Sequence, residues 1–234
     1  MSTVSAPTQW RVYVLLGRVS NLPTVWSNCL AGVALAGVDT APLRFAWIAA
    51  AVSLFYTAGM FLNDAFDASY DRIARPERPI PRGWVGEHRV RSMGIVLLVA
   101  GELMLAPLGA ALPGIGLLAA IVYYNWRHKR DPLSPVVMAL CRALVYVIAA
   151  VAAAATLPRA VLVGAGILAA YVVGLSQVAK RGVASGPAIA MLIAGISLLD
   201  ATLIAWIGGG PAAALVAALG FPLTLALQQL APGT

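Results

Sequence analysis

The chain has 234 residues, 61% of them hydrophobic and 11% charged, with a formal net charge of +7. A soluble domain carries about a quarter charged residues, so this composition, with a mean hydropathy of +0.86, excludes an ordinary water-soluble enzyme and makes lipid the expected solvent. The basic balance is of the kind found in loops against anionic lipid and is not read as a nucleic-acid surface.

Apolar runs bounded by Gly, Pro or charge predict an all-α bundle of about eight spans around a central cavity, forming one membrane domain over residues 1–234. In chain order they are Tyr13 to Gly37, Ala46 to Leu62, Met93 to Leu108, Leu112 to Tyr124, Pro135 to Ala155, Ala160 to Val178, Ala188 to Ile207 and Pro211 to Leu230. The start has no basic stretch ahead of its apolar run and no small-residue cleavage site, so the first span is expected to be retained. Leu112 to Tyr124 is short, and Tyr123, Tyr124 and Trp126 supply an interface belt where it ends. Cys29 and Cys141 fall in apolar stretches and form neither a CxxC pair nor a metal pattern.

Charge placement orients the spans. Loops after the second, fourth and sixth hold Arg72, Arg75, Arg78, Arg82, Arg89, Arg91, Arg127, Lys129, Arg130, Lys180 and Arg181, eleven of the sixteen Lys and Arg. The intervening loops hold only Arg44 and Arg159. Basic loops stay cytoplasmic, so an even number of spans predicts an inner or plasma membrane protein with both termini and these three loops in the cytoplasm.

The second span runs into NDAFDASYD, Asn63 to Asp71. Continued as a helix, Asn63, Asp64, Asp67 and Asp71 lie close to one stripe. Crowded carboxylates at a membrane boundary repel one another and resist dehydration unless a cation joins them. Oxygen ligands without Cys or His select a hard ion, and Mg²⁺ characteristically combines a few carboxylates with a substrate phosphate. The motif therefore predicts a phosphate-bearing substrate. RIARPERPIPRG follows, where Arg72, Arg75, Arg78 and Arg82 offer bidentate forks for phosphate and Pro76, Pro79 and Pro81 predict an extended segment. Together these features suit a lipid diphosphate whose tail lies among the helices.

These residues resemble the UbiA superfamily of intramembrane prenyltransferases, whose first signature reads NDxxDxxxD followed by an RPIPxG-like run; here they are NDAFDASYD and RPIPRG, Arg78 to Gly83. RVSNLPTVWSN is similar to the family's Arg-x-x-Asn first-helix pattern. The resemblance implies Mg²⁺-dependent transfer of an isoprenyl group from its diphosphate to an aromatic or lipid acceptor. It implies Asn63, Asp64, Asp67 and Asp71 as metal ligands, Arg72 and Arg78 on the diphosphate, and Arg18 and Asn21 lining the cavity. The family's second aspartate-rich motif falls where this chain has SQVAKRGVASG, so Lys180 and Arg181 replace carboxylates and are expected to contact diphosphate. The family typically has nine spans, one more than the eight read here. An isoprenoid-binding or membrane-complex protein without transfer is the alternative. A small-solute transporter is disfavoured because the polar groups gather at one face rather than at a broken midplane.

Glu102, Arg142 and Asp200 lie within apolar spans, where ionisable groups face a cavity or pair together. Arg142 is expected either to pair with Asp200 or Glu102 or to bind substrate, and CRALVY around it resembles a Cys-Arg pattern of a small branch of the same superfamily. Tyr70, Tyr123, Tyr124, Tyr146 and Tyr171 are read as interface anchors, with shielding of a prenyl cation as the alternative. His88 and His128 are read as solvated or lipid-facing.

Overall fold

The computed structural model describes residues 8–129, 131–207 and 209–231. The opening residues read above for a leader, and Arg130 of the basic loops, lie outside that set. All regular structure among the described residues is helical: α1 (Gln9–Leu16), α2 (Leu22–Leu35), α3 (Pro42–Phe66), α4 (Ala68–Ala74), α5 (Glu87–Leu105), α6 (Ala111–Arg127), α7 (Ser134–Ala154), α8 (Arg159–Lys180), α9 (Gly186–Ile207) and α10 (Pro211–Leu230).

Local sequence explains where these helices begin. Pro stands in the first turn of α2, α3, α7 and α10, where its missing N–H removes no intrahelical bond and its fixed φ suits the entry. Six helices, α3, α5 with its 3₁₀ extension, α7, α8, α9 and α10, are long and apolar enough to cross a membrane. The protein is an integral, multi-pass membrane protein. Among the described residues, six of the eight expected crossings are met in length. α2 has 14 residues and α6 has 17, fewer than the about 20 that a straight crossing takes.

The first expected span is broken rather than continuous. α1 stops at Leu16, a 3₁₀ turn occupies Val19–Asn21, and α2 starts at Leu22. Arg18 at the break has φ +43, a left-handed conformation uncommon for a side-chain-bearing residue. Irregular backbone is tolerated at membrane depth where protein satisfies it. Here Tyr56 Oη donates to Arg18 O at 3.3 Å and Thr24 Oγ1 to Asn21 O at 2.7 Å.

α2 is the central element. It packs on α7, α9, α10 and α3 and joins two apolar clusters, one shared with α3, α5, α6 and α7, the other with α7 to α10. Close approach of α2 to α7 depends on Gly32, where an added Cβ would stand 2.6 Å from the Tyr146 carbonyl oxygen. A third cluster gathers Val12, Leu16, Phe61 and Ala65 with Ile80, Val85 and Val90.

That third cluster explains why the proline segment is folded rather than extended. Arg78 N bonds Arg75 O, Arg82 N bonds Arg78 O, Gly83 N bonds Ile80 O and Trp84 N bonds Pro79 O, at 2.9 to 3.1 Å. Proline's φ serves successive turns as well as extended chain, and burial of Ile80 and Val85 draws the segment down onto α1, α3 and α5.

Candidate active site

The acidic motif straddles the junction of α3 and α4. Asp67 ends α3, yet its N–H reaches Asn63 O at 2.9 Å and Asp71 N reaches Asp67 O at 2.8 Å, so the helical ladder crosses the junction and the stripe is kept. Asp64, Asp67 and Asp71 are all buried. Buried carboxylates need compensating charge and hydrogen bonds, and each has found them.

Arg78 Nη1 donates to Asp64 Oδ1 at 3.2 Å and to Asp71 Oδ2 at 2.7 Å. The folded proline segment thus places one guanidinium nitrogen between two carboxylates. Arg18 Nη2, delivered by the break after α1, lies 3.4 Å from both Asn63 Oδ1 and Asp64 Oδ1. Asp67 faces the α6–α7 loop, with Lys129 Nζ at 2.8 Å from Oδ1 and His128 Nε2 at 3.4 Å from Oδ2. Burial pushes the Asp67 carboxyl up, but the hydrogen bonds and charges of His128 and Lys129 outweigh this and hold it below its ordinary range. Lys129 also sits 3.6 Å from the Tyr70 ring centroid, and His128 stacks on Tyr124 at 5.0 Å.

Behind this cluster lies a cavity of about 770 Å³. Asn63, Asp67, Asp71, Arg75, Arg78 and Lys129 contribute to its polar wall, and Val52, Phe55, Ile121, Val145 and Ile196 to its apolar wall. Of the other residues singled out in the sequence, Arg18, Asn21, Arg142 and Lys180 line it too. Asp64 lies behind the wall, against Arg18 and Arg78. Arg72 and Arg181, expected at the phosphate, are exposed and outside the lining. Arg72 instead lies 3.5 Å from Glu87.

Several wall residues were not legible as such. His128, expected to be solvated, and Lys129 join the site because α6 continues to Arg127 and delivers both to Asp67. Tyr56, Tyr70 and Tyr124 line the cavity, whereas Tyr146 is fully buried. The basic run RHK after an aromatic cluster was the available signal, but its partner lies 62 positions earlier in the chain and only tertiary packing pairs them.

The expected direct pair between Arg142 and Asp200 is replaced by a bridge. Arg142 Nη1 donates to Asn28 Oδ1 at 2.8 Å, and Asn28 Nδ2 donates to Asp200 at 2.8 and 3.1 Å. Ser27 Oγ and Tyr146 Oη each approach Asp200 at 2.5 Å. Glu102 takes no part, and its Oε2 has no hydrogen-bond partner among the described residues.

The oxygen donors of the stripe suit a hard cation, and Asp64 and Asp71 converge on one positive charge, the Arg78 Nη1 group. Asp67 turns away to Lys129, so the expected convergence of all three carboxylates is not seen. Among the described residues no group of three or more His, Cys, Asp or Glu stands close enough to hold a metal. Mg²⁺ is commonly held by one or two carboxylates while a substrate phosphate completes its shell, a demand that the oxygen donors of the stripe meet in kind.

Comparisons with known proteins agree with this architecture. The sequence model of the UbiA prenyltransferase family matches residues 25–233. Digeranylgeranylglyceryl phosphate synthase of Ignicoccus hospitalis is 34% identical over 124 residues, covering 53% of this chain and 40% of the relative. The enzyme of the same name from Methanothermobacter thermautotrophicus is 37% identical over 103 residues, covering 42% and 36%. The matched stretches thus span less than half the length of these relatives. A solved structure described as that of digeranylgeranylglyceryl phosphate synthase in membranes superposes with a TM-score of 0.66 at 18% identity, covering 95% of this chain and 89% of the other. A UbiA homologue from Aeropyrum pernix superposes with a TM-score of 0.62 at 19% identity, covering 88% and 87%. These two likenesses show a shared fold, and the match of the family model over most of the chain shows that it belongs to the UbiA prenyltransferase family.

Proposed function

We propose that this protein transfers an isoprenyl group from a prenyl diphosphate to an aromatic or lipid acceptor within the membrane, with Mg²⁺ as cofactor. The observation that carries this reading is the acid and arginine cluster at the end of an apolar-walled cavity of about 770 Å³, within the roughly 300–1,000 Å³ typical of small-molecule sites. The names of the relatives support prenyl transfer to a lipid acceptor.

In this reading the donor's tail lies along Val52, Leu117 and Ile121, and its diphosphate lies at the polar wall. Asp64 and Asp71 would hold the metal, with Asn63 and Asp67 on the same stripe. Bound there, Mg²⁺ supplies positive charge that stabilises the departing diphosphate. Arg78 and Arg18 neutralise the stripe between turnovers and turn their spare N–H groups to phosphate oxygens when donor binds. Lys129, Lys180 and Arg75 add charge around the same cavity. The apolar wall excludes water that would otherwise capture the prenyl cation. By the basic loops, the polar wall and both termini face the cytoplasm.

Purified protein supplied with geranyl, farnesyl or geranylgeranyl diphosphate, Mg²⁺ and extracted membrane lipids or phenolic precursors is expected to release diphosphate and yield a prenylated product. Asp71→Asn and chelation of Mg²⁺ each abolish both. Turnover that survives both treatments sinks the metal-assisted reading. A second reading, isoprenoid binding without transfer, is favoured by the Arg78 guanidinium already standing between Asp64 and Asp71. Diphosphate binding without product from any donor and acceptor pair would select it.

A further inference from the structure

The cavity has a second polar pole, away from the acidic stripe. Arg142 lines the cavity from α7, and its guanidinium is fixed by Asn28 and by Thr24 Oγ1 at 3.1 Å, with Cζ 5.8 Å from the Tyr56 ring centroid. Tyr56 precedes Asp64 on α3 by eight residues, about 12 Å along a helix. The pole therefore lies deep in the bundle, among Val25, Phe55 and Val145. An arginine carries five N–H donors. Two are engaged, which leaves others for a ligand in the cavity that Arg142 lines.

The charge state of this pole selects what it can receive. Asn28 Nδ2 donates to both oxygens of Asp200, and the Ser27 and Tyr146 hydroxyls lie within hydrogen-bond distance of it, an arrangement that an ionised carboxylate satisfies by accepting every bond. Asn28 joins this carboxylate to Arg142, donating through Nδ2 and accepting through Oδ1. With Asp200 ionised, the linked charges cancel. A ligand with a full negative charge would leave the pole net negative in apolar surroundings, at a large desolvation cost. An uncharged oxygen fills the spare N–H groups without that cost.

We infer that Arg142 is a binding residue for the acceptor and takes an uncharged oxygen, a hydroxyl or a carbonyl, rather than a phosphate or carboxylate. This rests on the transferase reading, which assigns the donor's diphosphate to the acidic stripe. Thr24, Asn28 and Asp200 are positioning residues that hold the guanidinium fork. Any anionic group of the acceptor stays outside this pole.

The full chain in lipid nanodiscs tests the assignment with three amphiphiles: dodecylglycerol ether for hydroxyls, decylbenzoquinone for carbonyls and dodecyl phosphate for an anion. A non-hydrolysable geranylgeranyl thiodiphosphate with Mg²⁺ reports on the donor site separately. The wild type is expected to bind at least one neutral probe, and Arg142→Gln to weaken that binding about tenfold or more, as for loss of a charge-assisted hydrogen bond, with donor-analogue affinity changed less than twofold. Arg142→Lys keeps the charge opposite Asp200 but lacks the fork, and carries the same test with an expected loss of about fivefold if Arg142→Gln does not fold. Three outcomes overturn the inference: no neutral probe binds the wild type, dodecyl phosphate is the probe that Arg142 retains, or the folded variant loses donor analogue as strongly as neutral probe. Failure of the wild type to bind the donor analogue, with the Arg142 effect intact, overturns the transferase reading and leaves the neutral-oxygen pole standing.

Discussion

Arg78 Nη1 stands 2.7 Å from Asp71 Oδ2, a contact between the end of the acidic motif and a proline segment seven residues later that folds back on it. Both side chains are largely buried, so each carries the desolvation of the other. Removing one partner of such a pair costs about 3–5 kcal/mol, because the other is left as an uncompensated charge. Arg78→Leu is therefore expected to lower stability by about 3 kcal/mol and Asp71→Asn by a similar amount. The double variant is expected to fall short of the sum by about 1–3 kcal/mol. Thermal or denaturant unfolding in detergent, run as a double-mutant cycle, measures this, and additive losses would refute the coupling.

Asp67 is tied to Lys129 across the α6–α7 loop, and its carboxyl is held below the ordinary range. A carboxylate with a depressed folded pKa adds stability that is present above its unfolded pKa, near 4, and is lost as pH falls through the folded value. The melting-temperature gap between wild type and Asp67→Asn should close as the pH falls below about 4. A gap that closes near neutrality would contradict the assignment.

Gly32 lets α2 meet α7 at the Tyr146 carbonyl. Helix backbones so close leave no room for a methyl group, and overpacking costs about 1–3 kcal/mol. Gly32→Ala should destabilise by that amount, and Gly32→Val by more. Because Tyr146 also donates to Asp200, the shift should reach the Asn28–Arg142 bridge. Unfolding measurements on the two variants rank the effect, and a neutral Gly32→Ala would refute the contact.

The basic-loop orientation is open to direct measurement. In a background lacking Cys29 and Cys141, Glu77→Cys in the proline segment should react with an impermeant maleimide only in inverted vesicles. Leu157→Cys, between α7 and α8, should react only from the opposite side. Labelling of both from one side would overturn the proposed orientation.

Much of the architecture was legible because lipid imposes a strong pattern. Runs of apolar residues near 20 long marked α3, α5, α7, α8, α9 and α10, and NDAFDASYD with RPIPRG marked the polar wall. The break at Arg18 was not legible, because Tyr13 to Gly37 reads as one apolar run. A left-handed residue there is stable only because Tyr56 and the acidic stripe receive its carbonyl and its guanidinium.

The sequence by itself determined the solvent, the helical class and the clustering of oxygen donors and arginines near Asp64, since composition and short spacing are local properties. Only the tertiary structure decided which charges meet. It put Arg78 between Asp64 and Asp71, Lys129 and His128 on Asp67, and Asn28 between Arg142 and Asp200. Partners up to 172 positions apart are chosen by helix rotation and packing, and local patterns carry no record of that choice.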